Sequence, residues 1–494
     1  MKRIFRITPF ILVVLIAIIQ VQCAVNPVTG KKEIMLISES MEIGMGKEID
    51  QGLRREYGFY EDPQFTAYIE QIGQEMAPNT HRPHLEYHFA ILDTPVENAF
   101  AAPGGYIYVT RGLLALMNSE AELATVLGHE LGHVNARHSA RQMTRSILFT
   151  LGIVIASELS KDFRKIAPIS MLATQLLFLK YSRSNEYQAD ALGVEYSLKI
   201  GYSAGEMVTF FNSLQRLTET KGGVRLPNFL STHPLTPRRI EKVKELLQAE
   251  EYSRTGDLPR LKVERDGYLT RLDGLVYGDN PRQGYVEGNT FYHPDMRFYF
   301  NIPRGWKYSN TPRQVTLASG DGKAVVIFMA EGTTESLDSY ANKLKKKLSN
   351  PQIIQEGYRY VNGMNAYHTL MQSLISDEDS SQEQQKEEVK VGISCIRKGD
   401  IVYTFFSAAS LSDFSAYEYT INGTINSFNP LTSRRHLNRR PQRVFVKRVS
   451  SRQTLRNFLS ALRIHNQVWN KIALINNMEL DQQLSPNQLI KIIQ

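Results

Sequence analysis

The sequence predicts an α+β fold in which a mainly helical core with a small sheet is followed by a β-rich region and a small C-terminal module. In the first half of the chain, apolar residues recur at three- and four-residue intervals, as in amphipathic helices. After Asp257 the pattern changes to short β-rich runs separated by turn residues. The length of 494 residues allows roughly three domains.

The composition narrows the class of protein. Apolar residues make up 42% of the chain and charged residues 22%, which argues against wholesale disorder and against a polytopic membrane protein. The two cysteines, Cys23 and Cys395, are too few for a disulfide framework or a zinc site of four cysteines. Any metal site must therefore use histidines and carboxylates.

The first 22 residues have the layout of an export signal. Three basic residues precede an apolar run from Phe10 to Ile19, which is too short to span a bilayer comfortably. Cys23 follows at the distance of the acylated cysteine of a bacterial lipoprotein, although Gln22 stands where such signals usually place a small residue. We therefore predict lipidation of Cys23 and a periplasmic protein anchored to the outer membrane. The alternative is a signal anchor that stays attached.

The elements of the core follow in order. Residues 38–77 show a helical pattern, and 87–92 and 106–109 read as strands around a Pro-Gly-Gly turn. A capping box, Ser-x-x-Glu, opens a predicted helix over 119–147, and a second helix runs over about 184–201. These two predicted helices carry the candidate metal-binding residues.

Two apolar segments lie between those helices, at 147–157 and 166–179. Neither reaches the ~18 residues expected of a membrane helix. We expect a buried helical hairpin; the alternative is an amphipathic hairpin that touches the membrane surface.

Four runs after Asp257 read as strands, and a tight Arg-Lys-Gly-Asp connection joins the last two. The runs are 298–302, 325–329, 390–396 and 401–406. The polar stretch 376–390 is predicted to be a loop inside this β-rich domain.

His129 and His133 belong to a His-Glu-x-x-His motif inside the helix predicted over 119–147. A spacing of four residues places both imidazoles on one helix face, about one turn apart, where they can hold one zinc ion. Glu130 is rotated away from the helix face that carries the two histidines, but it can still reach a zinc-bound water. Two ordinary histidines on a polar helix face would show the same pattern, so the prediction depends on a third ligand.

Glu186 is the candidate third ligand, 53 residues beyond His133 on the second predicted helix. Catalytic zinc sites with two histidines and one glutamate leave one position for water. Asp190 lies one turn after Glu186, where it can accept a hydrogen bond from a ligand imidazole and fix its tautomer. A solvated carboxylate is the other interpretation of Glu186. We predict one Zn²⁺ per chain, bound by His129, His133 and Glu186.

Residues 24–250 resemble the HtpX and CAAX-prenyl-protease family of zinc metallopeptidases, which are gluzincins, and especially its exported bacterial branch. The resemblance rests on the two zinc segments and on Asn26–Gly30, Asn98–Ala101, Pro103–Gly105 and Ser231–Pro234. It implies a zincin-like fold for this region. No tetratricopeptide pattern follows the peptidase-like region.

The resemblance also implies roles for single residues. His129, His133 and Glu186 match zinc ligands, and Glu130 matches the catalytic base. The family's substrate pairs with an edge strand of the active-site cleft, and Gly105–Val109 is the matching segment. The expected substrate-binding residues are Asn98, Gly105, Tyr106, Ile107 and Tyr108. The implied reaction is amide hydrolysis, in which zinc lowers the pKa of bound water towards ~7 and Glu130 moves its proton to the leaving amine.

His233 is predicted to be a regulatory or transition-state residue. It is the only histidine between Glu186 and the β-rich region, and Pro234 biases it away from helix. In a loop over the cleft, its imidazole could occupy the fourth zinc position and silence the enzyme, or stabilise the developing oxyanion. Packing of the ring on the following helix is the third possibility. Arg239 matches a family position in the same segment.

The C-terminal region has two weaker features. Residues 444–493 resemble a degenerate lysin motif, a module that binds peptidoglycan glycans, although a purely structural cap is equally compatible. Residues 434–456 contain nine basic and no acidic residues. In an exported protein, phospholipid or lipopolysaccharide anions are better candidates than nucleic acid for binding to this segment. The first interpretation is a plain solvated linker that binds neither.

The predicted organisation is a lipoprotein-type signal peptide at 1–22, a zinc metallopeptidase domain at 23–256, a β-rich accessory domain at 257–432, and a basic linker with a lysin-motif-like module at 433–494. The predicted function is a zinc-dependent endopeptidase of the bacterial envelope that acts on misfolded or misassembled periplasmic and outer-membrane proteins. Its expected partners are protein substrates, the membrane through a lipid anchor, and peptidoglycan, but no nucleic acid. The alternative is an envelope chaperone or assembly scaffold in which proteolysis is secondary.

Overall fold

A computed structural model describes residues 23–146, 180–220, 228–249, 261–348, 350–376 and 386–494. The predicted signal peptide and the two apolar segments at 147–157 and 166–179 lie outside the described residues. Helices and strands are mixed, which confirms the α+β class. None of the described helices is both long enough and apolar enough to cross a bilayer.

The helices are, in chain order, α1 (Glu39–Glu56), α2 (Pro63–Met76), α3 (Arg111–Leu116), α4 (Glu120–Asn135), α5 (Arg183–Lys199), α6 (Glu206–Thr220), α7 (Asn228–Thr232), α8 (Pro237–Gln248), α9 (Arg265–Arg271), α10 (Leu337–Lys345), α11 (Phe414–Asn426), α12 (Arg434–Leu437), α13 (Leu455–Ala461) and α14 (Trp469–Ile475). The strands are β1 (Cys23–Val25), β2 (Lys32–Ile34), β3 (His88–Leu92), β4 (Ala99–Ala102), β5 (Tyr106–Thr110), β6 (Val276–Tyr277), β7 (Tyr285–Glu287), β8 (Thr290–His293), β9 (Phe298–Asn301), β10 (Lys307–Asn310), β11 (Gln314–Ala318), β12 (Ala324–Gly332), β13 (Gln352–Val361), β14 (Met364–Ser376), β15 (Lys386–Lys398), β16 (Ile401–Ser410), β17 (Asn429–Pro430), β18 (Gln442–Arg448), β19 (Gln453–Thr454), β20 (Gln483–Leu484) and β21 (Leu489–Ile493).

The chain divides into two units. Unit 1 consists of the described residues within Met1–Arg54, Gly58–Gly278 and Gln442–Gln494, and unit 2 of those within Arg55–Tyr57 and Asp279–Pro441. The longer segment of unit 2 runs from Asp279 to Pro441, and the β-rich domain was expected at 257–432. The C-terminal residues share unit 1 with the peptidase-like region because β18 pairs with β6 as well as with β21.

Two long predicted helices are interrupted. The helical pattern of 38–77 forms α1 and α2, because Asp62 caps a new helix that has Pro63 at its first position. Helix α4 ends at Asn135, and Arg137 adopts a left-handed conformation with φ of 55°. Residues 138–146 are helical again. The break turns the chain directly after the His-Glu-x-x-His motif.

The small sheet of unit 1 has the order β3-β5-β4. Strand β5 pairs in parallel with β3 and antiparallel with β4, so both of its edges are occupied. The prediction that Gly105–Val109 forms an edge strand is therefore wrong. The cause is β4, a four-residue strand rich in alanine that the sequence analysis did not predict and that takes the edge position itself.

Unit 2 is built around a seven-stranded antiparallel sheet with the order β10-β11-β12-β16-β15-β14-β13. Helix α11 shares a hydrophobic cluster with Tyr403 and Phe405 of β16, and α10 shares another with Met371 and Val391. The alternation along the strands places these two clusters on opposite faces of the sheet. A four-stranded sheet, β17-β9-β8-β7, completes the unit.

The C-terminal residues run in the order β18, α13, α14, β21, with β18 and β21 antiparallel. Lys491 on β21 is fully buried and donates hydrogen bonds to the carbonyl oxygens of Ala115 (2.9 Å) and Met117 (2.6 Å). These carbonyls lie at the end of α3, where a helix leaves its last acceptors unpaired. The side chain therefore ties the C-terminal residues to the core of unit 1.

Candidate metal centre

Helices α4 and α5 carry the predicted ligands and pack closely. A Cβ added at Gly132 of α4 would lie 3.1 Å from Cα of Ala189 on α5, and one added at Gly193 of α5 would lie 3.0 Å from the backbone nitrogen of His129. Any side chain at these glycines would push the helices apart. The two glycines therefore set the helix spacing at which Glu186 reaches the histidines of α4.

Four buried side chains converge between these helices: His129, His133, Glu186 and His233. The Nε2 atoms of His129 and His133 are 3.1 Å apart, and each lies 3.6 Å from a carboxylate oxygen of Glu186. Ligands of a tetrahedral zinc ion at 2.0–2.1 Å are separated by about 3.3 Å. The donor set and its spacing therefore fit a metal ion, and zinc in particular.

His233 follows α7 and belongs to the same cluster. Its Nδ1 lies 3.2 Å from Nε2 of His129 and 3.2 Å from Oε1 of Glu186, while the ring of Phe229 stacks on it at 4.7 Å. Burial acts to lower the pKa of His233, but the carboxylates of Glu186 and Glu130 outweigh it, and the pKa is raised. The structure thus brings His233 among the ligand atoms.

Asp190 positions the first histidine of the motif. Its Oδ1 accepts a hydrogen bond from Nδ1 of His129 at 2.9 Å, and Arg239 donates to both of its oxygens at 2.6 and 2.8 Å. Burial alone would raise the pKa of Asp190, but the Arg239 guanidinium lowers it to about 2. The carboxylate is therefore ionised and holds Nδ1 protonated, which leaves Nε2 as an electron-pair donor.

A chain of hydrogen bonds that the sequence did not predict orients His133. Nδ1 of His133 lies 2.8 Å from Nδ1 of His138, whose Nε2 is 3.0 Å from Oε1 of Gln188. Burial lowers the pKa of His138 to about 3, so the ring is neutral. Its Nε2–H donates to Gln188, and its Nδ1 accepts the hydrogen of His133. Nε2 of His133 is thereby left unprotonated.

Tyr181 was also missed: its ring stacks on His133 with centroids 4.0 Å apart. The presence of a histidine five residues after the motif was a visible signal for His138. Nothing in the sequence pattern pointed to Tyr181 or Gln188, because their contacts arise only when α5 packs on α4.

Glu130 is completely buried, and burial raises the pKa of its carboxyl group. Among the described residues, neither of its oxygens has a hydrogen-bond partner, and the nearest charged neighbour is Nε2 of His233 at 3.6 Å. A buried carboxyl group without a partner is costly. A water molecule bound to a metal in the cluster would supply the missing hydrogen bond.

The expected substrate-binding residues make different kinds of contact. Asn98 precedes β4, and its Oδ1 accepts a hydrogen bond from Thr232 at 3.4 Å, next to His233. Tyr106 stacks on His88, and Tyr108 donates to Asp50 on α1. These two contacts do not involve the metal cluster.

Ile107 and Gly105 do not line the cluster either. Ile107 is part of the hydrophobic core of unit 1. Gly105 has φ of 102°, and a Cβ there would lie 2.4 Å from the carbonyl oxygen of Glu86, so this glycine serves a tight turn.

Two histidines and a glutamate converge beside the buried carboxyl group of Glu130, an arrangement that fits a metallopeptidase. Residues 63–247 match the model of Peptidase family M48, and this part of the chain is a peptidase domain of that family. The predicted family resemblance is thereby confirmed.

Three of the curated relatives show what the chain is similar to. The Beta-barrel assembly-enhancing protease of Escherichia coli (strain K12) is 29% identical over 222 residues, which cover 43% of this chain and 45% of that protein. The Mitochondrial metalloendopeptidase OMA1 of Arabidopsis thaliana is 30% identical over 43% of each chain. The OMA1 protein of Schizosaccharomyces pombe is 27% identical over 46% of this chain and 67% of its own. The chain spans less than half the length of the first two relatives.

Proposed function

We propose that the protein is a zinc-dependent endopeptidase of the bacterial cell envelope that hydrolyses peptide bonds of misfolded or misassembled periplasmic and outer-membrane proteins. The buried carboxyl group of Glu130, without a hydrogen-bond partner in the described structure and next to four converging donors, carries the chemical part of the proposal. Family M48 metallopeptidases are zinc-dependent. The relatives named for β-barrel assembly support the envelope part.

His129, His133 and Glu186 would hold the zinc ion. When bound, zinc lowers the pKa of a water ligand towards ~7 and polarises the scissile carbonyl group. Glu130 accepts the proton of the attacking water and returns it to the leaving amine, a task for which its raised pKa suits it. Asp190 keeps His129 in the metal-binding tautomer.

The extended substrate would pair with β4 rather than with β5. Strand β4 lies at the edge of its sheet, and Asn98 at its start is close to Thr232 and therefore to the cluster. Backbone pairing at an edge recognises an extended chain with little dependence on its side chains. Unfolded or mispaired proteins present such segments.

The test compares Glu130→Gln with wild type for zinc content and for cleavage of unfolded casein. We expect about one zinc per chain in both proteins, and loss of cleavage in the variant, because only the base is removed. His133→Ala should lose the zinc itself. Glu70→Gln, at an exposed position on α2, is the matched control and should behave as wild type. Full cleavage by a zinc-free protein would overturn the proposal.

A scaffold or chaperone role is the second candidate. It is favoured by unit 2, a separate unit that contributes none of the four cluster residues. Expression of Glu130→Gln in a strain with an envelope defect distinguishes the two: a protease fails to complement, whereas a scaffold restores growth.

The proposed location is the periplasmic face of the outer membrane, with Cys23 as an acylated first residue. Intact-mass spectrometry of protein from membranes should show a lipid-modified Cys23, and Cys23→Ser should release the protein into the periplasm. An unmodified Cys23 would contradict the anchor but not the enzyme.

A further inference from the structure

Unit 2 contains a cavity of ≈ 450 Å³ that the proposed peptidase chemistry does not use. It lies between α11 and one face of the seven-stranded sheet, with lining residues from β13, β14, β15 and β16. Its volume falls in the ≈ 300–1,000 Å³ range of small-molecule sites.

The strand register assembles three polar side chains on this face. His368 of β14 is paired with Gly357 of β13 and with Ser394 of β15, and Arg359 lies two residues after Gly357. Because side chains two residues apart share a face, Arg359, His368 and Ser394 are neighbours. Gly357, without a side chain, leaves space beside His368, since a Cβ there would meet nothing within 4 Å.

Arg359 is a half-buried cation without a counter-charge. Its Nη2 donates to Oγ of Ser394 at 3.2 Å, whereas its Nε is buried and has no hydrogen-bond partner in the described structure. It forms no ion pair with any described residue. Burial lowers the pKa of its guanidinium, yet arginine remains charged in proteins. An unpaired, partly desolvated charge is unfavourable unless an anion joins it.

His368 adds a second donor. Its Nδ1 lies 2.8 Å from Oγ of Ser394, which accepts the hydrogen of Arg359 and donates its own to this Nδ1. Burial lowers the pKa of His368 to about 4, so the ring is neutral at pH 7 and carries its hydrogen on Nε2. Nε2–H of His368 and the N–H groups of Arg359 other than the one bonded to Ser394 are the donors left for a ligand.

The remaining lining residues include apolar side chains, amides and two carboxylates. Leu370, Phe414, Ile421 and Ile425 supply apolar surface, and Asn422 supplies an amide. Of the two carboxylates in the lining, Glu356 is paired with Lys345 at 2.6 Å, and Glu418 on α11 is not paired with Arg359.

We propose that this cavity binds a carboxylate-bearing ligand with an apolar body, held by Arg359 and His368. A single positive charge matches a monoanion, whereas a phosphate dianion would bring one uncompensated negative charge. The planar carboxylate also suits a guanidinium fork. The ligand is a free small carboxylate or the C-terminal end of a peptide.

The test is isothermal titration calorimetry on the full chain with two pairs of probes. Benzoate is compared with neutral benzamide, and acetyl-Ala-Phe with its C-terminal amide. We expect saturable binding of a carboxylate probe and none of its neutral partner. Arg359→Gln should weaken binding about tenfold or more, and His368→Gln should weaken it less, because a charged hydrogen bond is stronger than a neutral one. Arg304→Gln, an exposed position in unit 2, is the control.

The outcomes separate the sources of the ligand. Binding of acetyl-Ala-Phe but not benzoate indicates a peptide end, and binding of benzoate indicates a free carboxylate. Equal binding of the neutral probes, tighter binding of inorganic phosphate, or unchanged affinity in Arg359→Gln would overturn the proposal. The melting temperature of ligand-free Arg359→Gln should be equal to or above that of wild type; a clear decrease would show that the guanidinium is structural.

Discussion

Nδ1 of His233 lies 3.2 Å from Nε2 of His129, close to the 3.1 Å that separates Nε2 of His129 from Nε2 of His133. It also lies 3.2 Å from Glu186. His233 thus lies at ligand distance from two of the three proposed zinc ligands, and a zinc ion with four protein ligands would have no position for water. We therefore propose that His233 can occupy the fourth zinc position and block it, as a latch on the centre.

The first prediction tests the role of His233 by removing its imidazole. His233→Ala should raise cleavage of casein or start self-cleavage, because it frees the fourth position while His129, His133 and Glu186 remain. Turnover and self-cleavage are measured on freshly purified protein, with His81→Ala as the control. A loss of about a hundredfold would instead identify a donor to the oxyanion. Unchanged turnover, self-cleavage and zinc affinity would leave only packing against Phe229.

The second prediction concerns Asp190. Asp190→Asn should weaken zinc binding by about 10–100-fold, because the neutral amide no longer stabilises the hydrogen on Nδ1 of His129 with a negative charge. Competition with a chromogenic chelator measures the affinity. Asp266→Asn, at an exposed site on α9, should bind zinc as wild type does. Equal affinities in the two variants would show that Asp190 does not support the site.

The third prediction tests the helix spacing. Gly193→Ala should destabilise unit 1 by about 1–3 kcal/mol and weaken zinc binding, because its methyl group would meet the backbone of α4 at 3.0 Å. Gly44→Ala, on α1 with no atom within 4 Å of the added Cβ, should be neutral or stabilising. Urea unfolding measures both. A Gly193→Ala protein as stable as wild type would contradict close packing as the cause of the site geometry.

The fourth prediction concerns the C-terminal residues. Lys491→Met should reduce the free energy of unfolding of unit 1 by about 2–4 kcal/mol, because it leaves the buried carbonyls of Ala115 and Met117 without donors. Lys471→Met, on the exposed surface of α14, is the control. Fluorescence of Trp469 in a Trp306→Phe background follows the transition. Equal stability of the two variants would argue for a loosely attached module.

The fifth prediction is a pH dependence of unit 2. Burial, aided by Arg359, lowers the pKa of His368 to about 4 in the folded protein. The unfolded chain, with an ordinary histidine pKa near 6.5, binds more protons between these values. Stability should therefore fall on the order of 1–3 kcal/mol as the pH drops from about 6.5 to 4.

Trp306 fluorescence in a Trp469→Phe background reports this transition, since the chain has two tryptophans. His368→Asn should lose part of the pH dependence. An identical pH profile in the variant would assign the effect to other groups.

Much of the centre could be predicted because it depends on spacing along single helices. His129 and His133 share a face of α4, and Asp190 follows Glu186 by one turn of α5, whatever the rest of the chain does. A local motif, the Ser-x-x-Glu capping box, likewise predicted the helix start at Ser119, whose side chain caps α4. The roles of these residues in metal binding and catalysis stay predictions until the variants are measured.

The sequence by itself thus determined the α+β class, the family of the peptidase domain and the residues that can ligate a metal, because local periodicity and short motifs encode them. Only the tertiary structure decided that β4 rather than β5 forms the sheet edge, and that His138 and Gln188 support His133. It alone joined the C-terminal residues to unit 1 through Lys491 and placed Arg359 beside His368. These relationships depend on strand pairing and helix packing between distant segments, and no spacing along the chain encodes which segments will meet.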